Sequence, residues 1–286
     1  MGSKALVEPG VLLQERYRLV ALLDAGNMGF VWRGQDESLS RPVAVKFPHA
    51  EHLATPGFRE RFEREVRRLV QLEHSHIVPI YDAGRLEGVP YAVLAFLTGG
   101  NLEQRLAGRG AGAPRRLPAA DLRAWLPDVA GALDFIHSQG VVHRDVKPAN
   151  ILFDSAGSAH MSDFGLSKAL FGENSLTPSQ AMVGSPSYVP PEAVRQDLDE
   201  MKPTGRYDQY SLATVVFEVL SGDLPFASGT PATVLMRKAR EKPFSLGRVV
   251  PGLSVPLVAA VDRALSGDPA ERFPSCSEFC AEALRG

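Results

Sequence analysis

One stretch constrains this chain more than any other: Val141-Val142-His143-Arg144-Asp145-Val146-Lys147-Pro148-Ala149-Asn150-Ile151-Leu152, followed by Met161-Ser162-Asp163-Phe164-Gly165. Asn150 stands five residues after Asp145, and Asp163 thirteen after Asn150, between two short apolar strands. Spacing this particular does not arise by chance. The rest of the chain can support an ordered site, since 286 residues make one large domain or two lobes sharing a cleft. With 44% apolar and 22% charged residues there is ample material for a core. A net charge of −2 argues against a nucleic-acid binder that relies on a basic surface. No apolar run reaches the ~18 residues of a membrane-spanning helix. The best candidate, Leu212 to Leu220, is interrupted by Glu218, and the N-terminus lacks a basic-then-apolar leader pattern. The two cysteines, Cys276 and Cys280, share one helical face. With no His or further Cys placed to complete a metal site they read as buried packing, and such sparse cysteine fits a reducing compartment.

Strand patterns cover Tyr17 to Val20, Gly29 to Arg33, Pro42 to Phe47, Ile77 to Tyr81 and Tyr91 to Leu97. Residues 58–72 switch to helical period, with Phe58, Phe62, Leu69 and Leu72 as the apolar stripe. From residue 121 the chain reads as mainly helical: Leu122, Leu126, Val129, Leu133 and Ile136 recur at three or four, and Gly140 marks a stop. A second strong helix runs from about Tyr210 to Leu220 and stops at Gly222. The Gly-, Pro- and Arg-rich stretch from Ala107 to Pro118 reads as an exposed connection, and no internal repeat is present. Two charged residues stand out. Alternation puts Lys46 and Ala44 opposite Val43, Val45 and Phe47. Glu65 falls on the apolar stripe of the 58–72 helix, where a carboxylate needs a partner. Each has an ordinary alternative, a solvated strand-end lysine and a glutamate reaching to water; the sharper reading pairs them.

The residues from His143 to Gly165 resemble the protein-kinase family, and the resemblance spreads over nearly the whole chain. It implies an α+β, bilobal protein-kinase fold: a small antiparallel β N-lobe (about 12–96) with one key helix, a hinge at about 95–99, and a larger, mainly helical C-lobe (about 100–286). It also implies ATP and Mg²⁺ (or Mn²⁺) as cofactors and transfer of the γ-phosphoryl group to protein Ser/Thr hydroxyls. Such transfer needs positioning and charge neutralisation more than covalent help. Magnesium wants oxygen ligands, so Asp163 and Asn150 suit it. Asp145 is the expected base for the attacking hydroxyl, worth about 10² to 10⁴ in rate. Lys147 is expected at the transferred phosphate, and its presence resembles serine/threonine rather than tyrosine kinases. Lys46 matches the phosphate-binding lysine and Glu65, nineteen residues later, its helix partner. The resemblance further places Leu23, Gly26, Gly29, Val31, Ala44, Leu94, Ala95, Phe96, Leu97 and Leu152 around the nucleotide. Leu94 gates the back of the adenine pocket there. Gly184 to Glu192 matches the segment that receives substrate, with Ser185 near the catalytic Asp and Lys. Asp208 matches the aspartate bracing the catalytic loop, and Arg272 the partner of Glu192. Met28 resembles bacterial membrane-linked kinases of this type.

The glycine-rich loop departs from the family pattern, because Asp24 stands at its first glycine. Either the carboxylate points to solvent or it weakens nucleotide binding. Ala95 replaces an acidic hinge residue, and Pro190 a small residue. Thr177 and Ser179, six to eight residues before Ser185, are expected sites of autophosphorylation. The expected partners are protein substrates and a second copy for trans-autophosphorylation, with neither nucleic acid nor membrane contact. The expected location is cytoplasmic, either as such or as the cytoplasmic part of a longer membrane-anchored protein. The rival reading is a catalytically weak, nucleotide-binding scaffold, which typically lacks one of Lys46, Asp145, Asn150 or Asp163; all four are present. A P-loop or dinucleotide fold fails, since Phe30-Val31-Trp32 after Gly29 reads as strand.

Overall fold

The computed structural model describes residues 7–26, 29–108, 115–163, 185–194 and 203–285. They form two compact units, the first made of residues up to 73 and 78–97, the second of residues 74–77 and those from 98 onward.

The first unit is a six-stranded antiparallel sheet in the order β1-β2-β3-β4-β6-β5. Its strands are β1 (Leu12–Leu13), β2 (Tyr17–Gly26), β3 (Gly29–Asp36), β4 (Arg41–Phe47), β5 (Ile80–Leu86) and β6 (Val89–Ala95). One face is apolar at alternate positions, and Tyr17, Leu19, Trp32, Val43, Val45, Phe47, Tyr91 and Val93 pack as its core. Two helices follow β4, the short α1 (Ala50–Leu53) and α2 (Phe58–Leu69). The buried face of α2 is Phe58, Phe62, Glu65, Val66 and Leu69, and it packs against β5 and β6.

The second unit is mainly helical. A two-stranded hairpin, β7 (Ile151–Phe153) with β8 (Ala159–Met161), joins α3 (Leu102–Ala107), α4 (Leu126–Ser138), α5 (Gly205–Ser221), α6 (Pro231–Arg240), α7 (Leu246–Val249), α8 (Val255–Ala264) and α9 (Cys276–Ala283). The centre is α5, buried almost all round from Tyr207 to Leu220, with only Glu218 half-buried in that run. Gly222 ends it in the left-handed region, φ 83°, which suits a residue without Cβ. A unit built on an antiparallel sheet and a mainly helical unit match the two-lobe division expected from the sequence.

Several boundaries differ from the sequence pattern. Helix α2 ends at Leu69 rather than 72, because the Leu72 amide turns back onto the Leu69 carbonyl. The pattern from residue 121 is not one helix: a 3-10 turn over Ala119–Ala124 precedes α4. Trp125 leaves helical geometry there, and Pro127 sits in the first turn of α4, where its missing N–H is tolerated. The central helix starts at Gly205, a full turn before Tyr210, so Asp208 lies inside its first turn instead of opening it. Ile77 is not in β5; beyond Pro79 the strand starts at Ile80, and Ile77 forms a lone parallel bridge with Met161. Strand β6 stops at Ala95, short of Leu97.

Candidate active site

In the first unit the register of the sheet gathers the expected nucleotide residues. Val31 pairs with Lys46, Ala44 with Leu94, and Lys46 with Ala92. Cross-strand partners share a face, so Val31, Ala44, Lys46 and Leu94 lie together on the side away from the Val43, Val45 and Phe47 core. Lys46 is buried despite its charge. Glu65 is buried too, with its carboxylate 3.9 Å from Arg64. Leu23 is exposed at a register shift in β2, and Phe96, just past β6, lies 5.5 Å from the Arg33 guanidinium. Ala95 and Leu97 belong to the same unit, and the Ala95 amide donates to the Pro79 carbonyl at 3.0 Å.

Strands β2 and β3 pair as far as Gly26 opposite Gly29. Gly29 has φ 136°, and a Cβ there would fall 1.9 Å from the Phe47 carbonyl oxygen, so only glycine fits. His49 reaches back with Nε2 2.6 Å from the Gly26 carbonyl, a brace that nothing in the sequence pattern announces. The Asp24 side chain is exposed and folds onto its own loop, where Oδ1 accepts the Ala25 amide at 2.9 Å.

In the second unit the hairpin places the other groups. Ile151 pairs with Met161, so Asn150 precedes one strand where Ser162 and Asp163 follow the other. The Ser162 amide donates to the Asn150 carbonyl at 2.9 Å and its hydroxyl at 3.1 Å. The Asn150 amide nitrogen donates to the Asp145 backbone oxygen at 2.7 Å and to its carboxylate at 2.9 Å. Lys147 lies 2.8 Å from the same carboxylate and donates to the Ser185 hydroxyl at 3.2 Å. Asp145 and Asn150 are buried; Leu152, next along β7, is half-buried and bridges Asn101.

The backbone around this group is strained at two residues, and an identifiable support braces it. Arg144 and Asp163 have φ of 68° and 65°, the left-handed region that L-residues occupy at a penalty. The buried Asp208 accepts the amides of His143 and Arg144 at 2.7 and 2.8 Å. His143 Nδ1 accepts the Asp145 amide at 3.2 Å, which leaves Nε2 to donate to the Ser162 carbonyl at 2.8 Å. Behind Asp208 stands His137, its Nε2 2.7 Å from that carboxylate. Burial alone would lower the His137 pKa, but Asp134 and Asp208 more than offset it and raise it to about 9. Burial likewise opposes the charge of Asp208, and His137 holds its carboxyl below the usual range. Asp134 also accepts the amides of Cys276 and Ser277, both at 2.8 Å, and so caps α9. Sequence spacing placed no His or further Cys to complete a metal site with the cysteines, yet Asp134, His137 and Cys276 converge within 4.8 Å. Burial pushes the Cys276 thiol well up, which keeps it protonated.

Further along, Arg272 grips Glu192 through two contacts of 2.7 Å each. Thr177 and Ser179, together with Phe164, Gly165, Gly184 and Met28, lie outside the described residues. Among the described residues no helix is long and apolar enough to cross a membrane.

Residues 17–282 match the family described as protein kinase domain. The chain is 36% identical over 278 residues to the serine/threonine-protein kinase PknB of Mycobacterium tuberculosis, covering 96% of this chain and 43% of the relative. It is 36% identical over 282 residues to PknJ of the same organism, covering 94% and 46% respectively. The chain thus spans less than half the length of these curated relatives. The crystal structure of the Mycobacterium tuberculosis PknI kinase domain superposes with a TM-score of 0.74 at 29% identity, covering 97% of this chain and 98% of that one.

Proposed function

From the premise that this chain belongs to the protein kinase family, as a bacterial-type serine/threonine kinase domain, we propose that it transfers the γ-phosphoryl group of ATP to Ser or Thr hydroxyls of proteins. One observation carries the reading: the buried Asp145 carboxylate is held between Asn150 and Lys147, with a hydroxyl-bearing segment at Ser185 alongside. Held there, Asp145 orients an incoming hydroxyl and accepts its proton, while Lys147 offers positive charge to the phosphoryl group in transit. Lys46 is the proposed ligand of the non-transferred phosphates, kept in place by Glu65. Leu23, Gly26, Gly29, Val31, Ala44, Leu94, Ala95, Phe96, Leu97 and Leu152 are proposed to enclose the nucleotide.

The donor set fits a magnesium ion. Asn150 spends both amide hydrogens on Asp145, which turns its oxygen into the available ligand, and Asp163 adds a carboxylate. When bound, the ion neutralises phosphate charge. The sequence from Gly184 to Glu192, which resembles the family's substrate-receiving segment, supports a protein chain as acceptor over a small molecule.

The test is labelling of a generic basic protein with γ-labelled ATP and magnesium. Label on serine and threonine, abolished by chelation of the metal, is expected; label on tyrosine alone, or none under any condition, would contradict the proposal. Thr177 and Ser179 are proposed as sites the enzyme modifies on itself, a second copy serving as substrate. A cytoplasmic setting is proposed alongside.

A further inference from the structure

Ser187, Tyr188 and Val189 present three successive backbone carbonyls outside any strand or helix, and each has a side-chain donor. Lys238 of α6 donates to Ser187 at 2.5 Å and to Val189 at 2.7 Å. Ser211 of α5 donates to Tyr188 at 2.9 Å. The Lys238 residue is only 1% exposed, with its amine 5.3 Å from the Tyr210 ring and 5.9 Å from the Phe226 ring. Burial pulls its pKa down to about 7, against the opposing pull of Glu192.

An apolar side chain would fill this place without that desolvation penalty. What an ammonium adds is hydrogen bonds to two backbone oxygens, one of them, on the buried Val189, costly to leave unpaired. The segment is also tied at both ends. Ser185 contacts Lys147, which contacts Asp145, and Glu192 is gripped by Arg272. Lys238 sets the middle. Ser185 stands at the edge of the Asp145 group, so residues 187–189 are the backbone that continues from it.

We propose that Lys238 is a positioning residue: by holding the Ser187 and Val189 carbonyls, it fixes the ledge on which a protein substrate lies beside its phosphoacceptor. The inference rests on the phosphoryl-transfer reading and adds the residue that shapes acceptor binding.

The test compares the full chain with Lys238→Met, which keeps the length and removes the donors, and Lys238→Arg, which keeps donors. In the Met variant the KM for the basic protein should rise about tenfold, while kcat and the KM for ATP stay within about twofold. Lys238→Arg should recover part of the lost KM. An unchanged protein KM in the Met variant would overturn the inference, as would a fall in kcat matched by loss of folded protein. Should the parent label no acceptor, the phosphoryl-transfer reading fails by itself. Amide exchange at Tyr188 then still decides the clamp: about tenfold faster exchange in Lys238→Met at unchanged melting temperature supports it, and unchanged exchange refutes it.

Discussion

At the scale of single residues, the departure at Asp24 carries the most consequence. Its carboxylate takes the Ala25 amide, a backbone donor of the loop proposed to face the nucleotide phosphates. A nearby fixed negative charge is also repulsive there, by up to about 3 kcal/mol at ~6 Å and an effective dielectric near 20. Asp24→Gly is therefore expected to lower the KM for ATP severalfold with kcat little changed. Steady-state kinetics at varied ATP checks this, and an unaltered KM would show that the carboxylate stays clear of the nucleotide. Gly29 makes the opposite case, since the Phe47 carbonyl leaves no room for a side chain. Gly29→Ala should lower the midpoint of thermal unfolding of the sheet unit, the strain being of the order of 1–3 kcal/mol.

At the scale of elements, the catalytic loop depends on helices remote in sequence. His137 on α4 pairs with Asp208 on α5, and Asp208 carries the loop amides. The His137 pKa is raised from 6.5 to about 9 on folding, so the pairing contributes fully below pH 6.5 and is lost as pH climbs through about 9. The difference amounts to on the order of 3 kcal/mol. Denaturant unfolding at about pH 6 and about pH 10 should show the parent losing more stability than His137→Gln across that interval. Equal losses would remove His137 from the linkage. These supports also mark the limit of what a chain shows on its face. Strand alternation from Val43 to Phe47 and the stripe of α2 are local and were readable, as were the loop residues from His143 to Asp163. The break at Trp125, the bracing by His49 and His137, and the convergence of Asp134 on Cys276 depend on neighbours tens of residues away. No local period reports them.

At the scale of the whole molecule, the chain matches the protein kinase domain along residues 17–282, and protein hydroxyls are the acceptors proposed for it. On the N-terminal side of Ser185 the nearest such hydroxyls in sequence are the chain's own Ser179 and Thr177. Incubation with Mg-ATP followed by mass spectrometry should find phosphate on one or both; an active enzyme with neither modified would refute self-modification there. The most direct test of the chemistry itself removes the base without removing its contacts. Asp145→Asn keeps a side chain of the same shape that still meets Asn150 and Lys147 but does not take up a proton. Label transfer to a basic protein should fall by about 10² to 10⁴, with ATP binding retained. Equal incorporation by the Asp145→Asn variant and the parent would contradict the assignment.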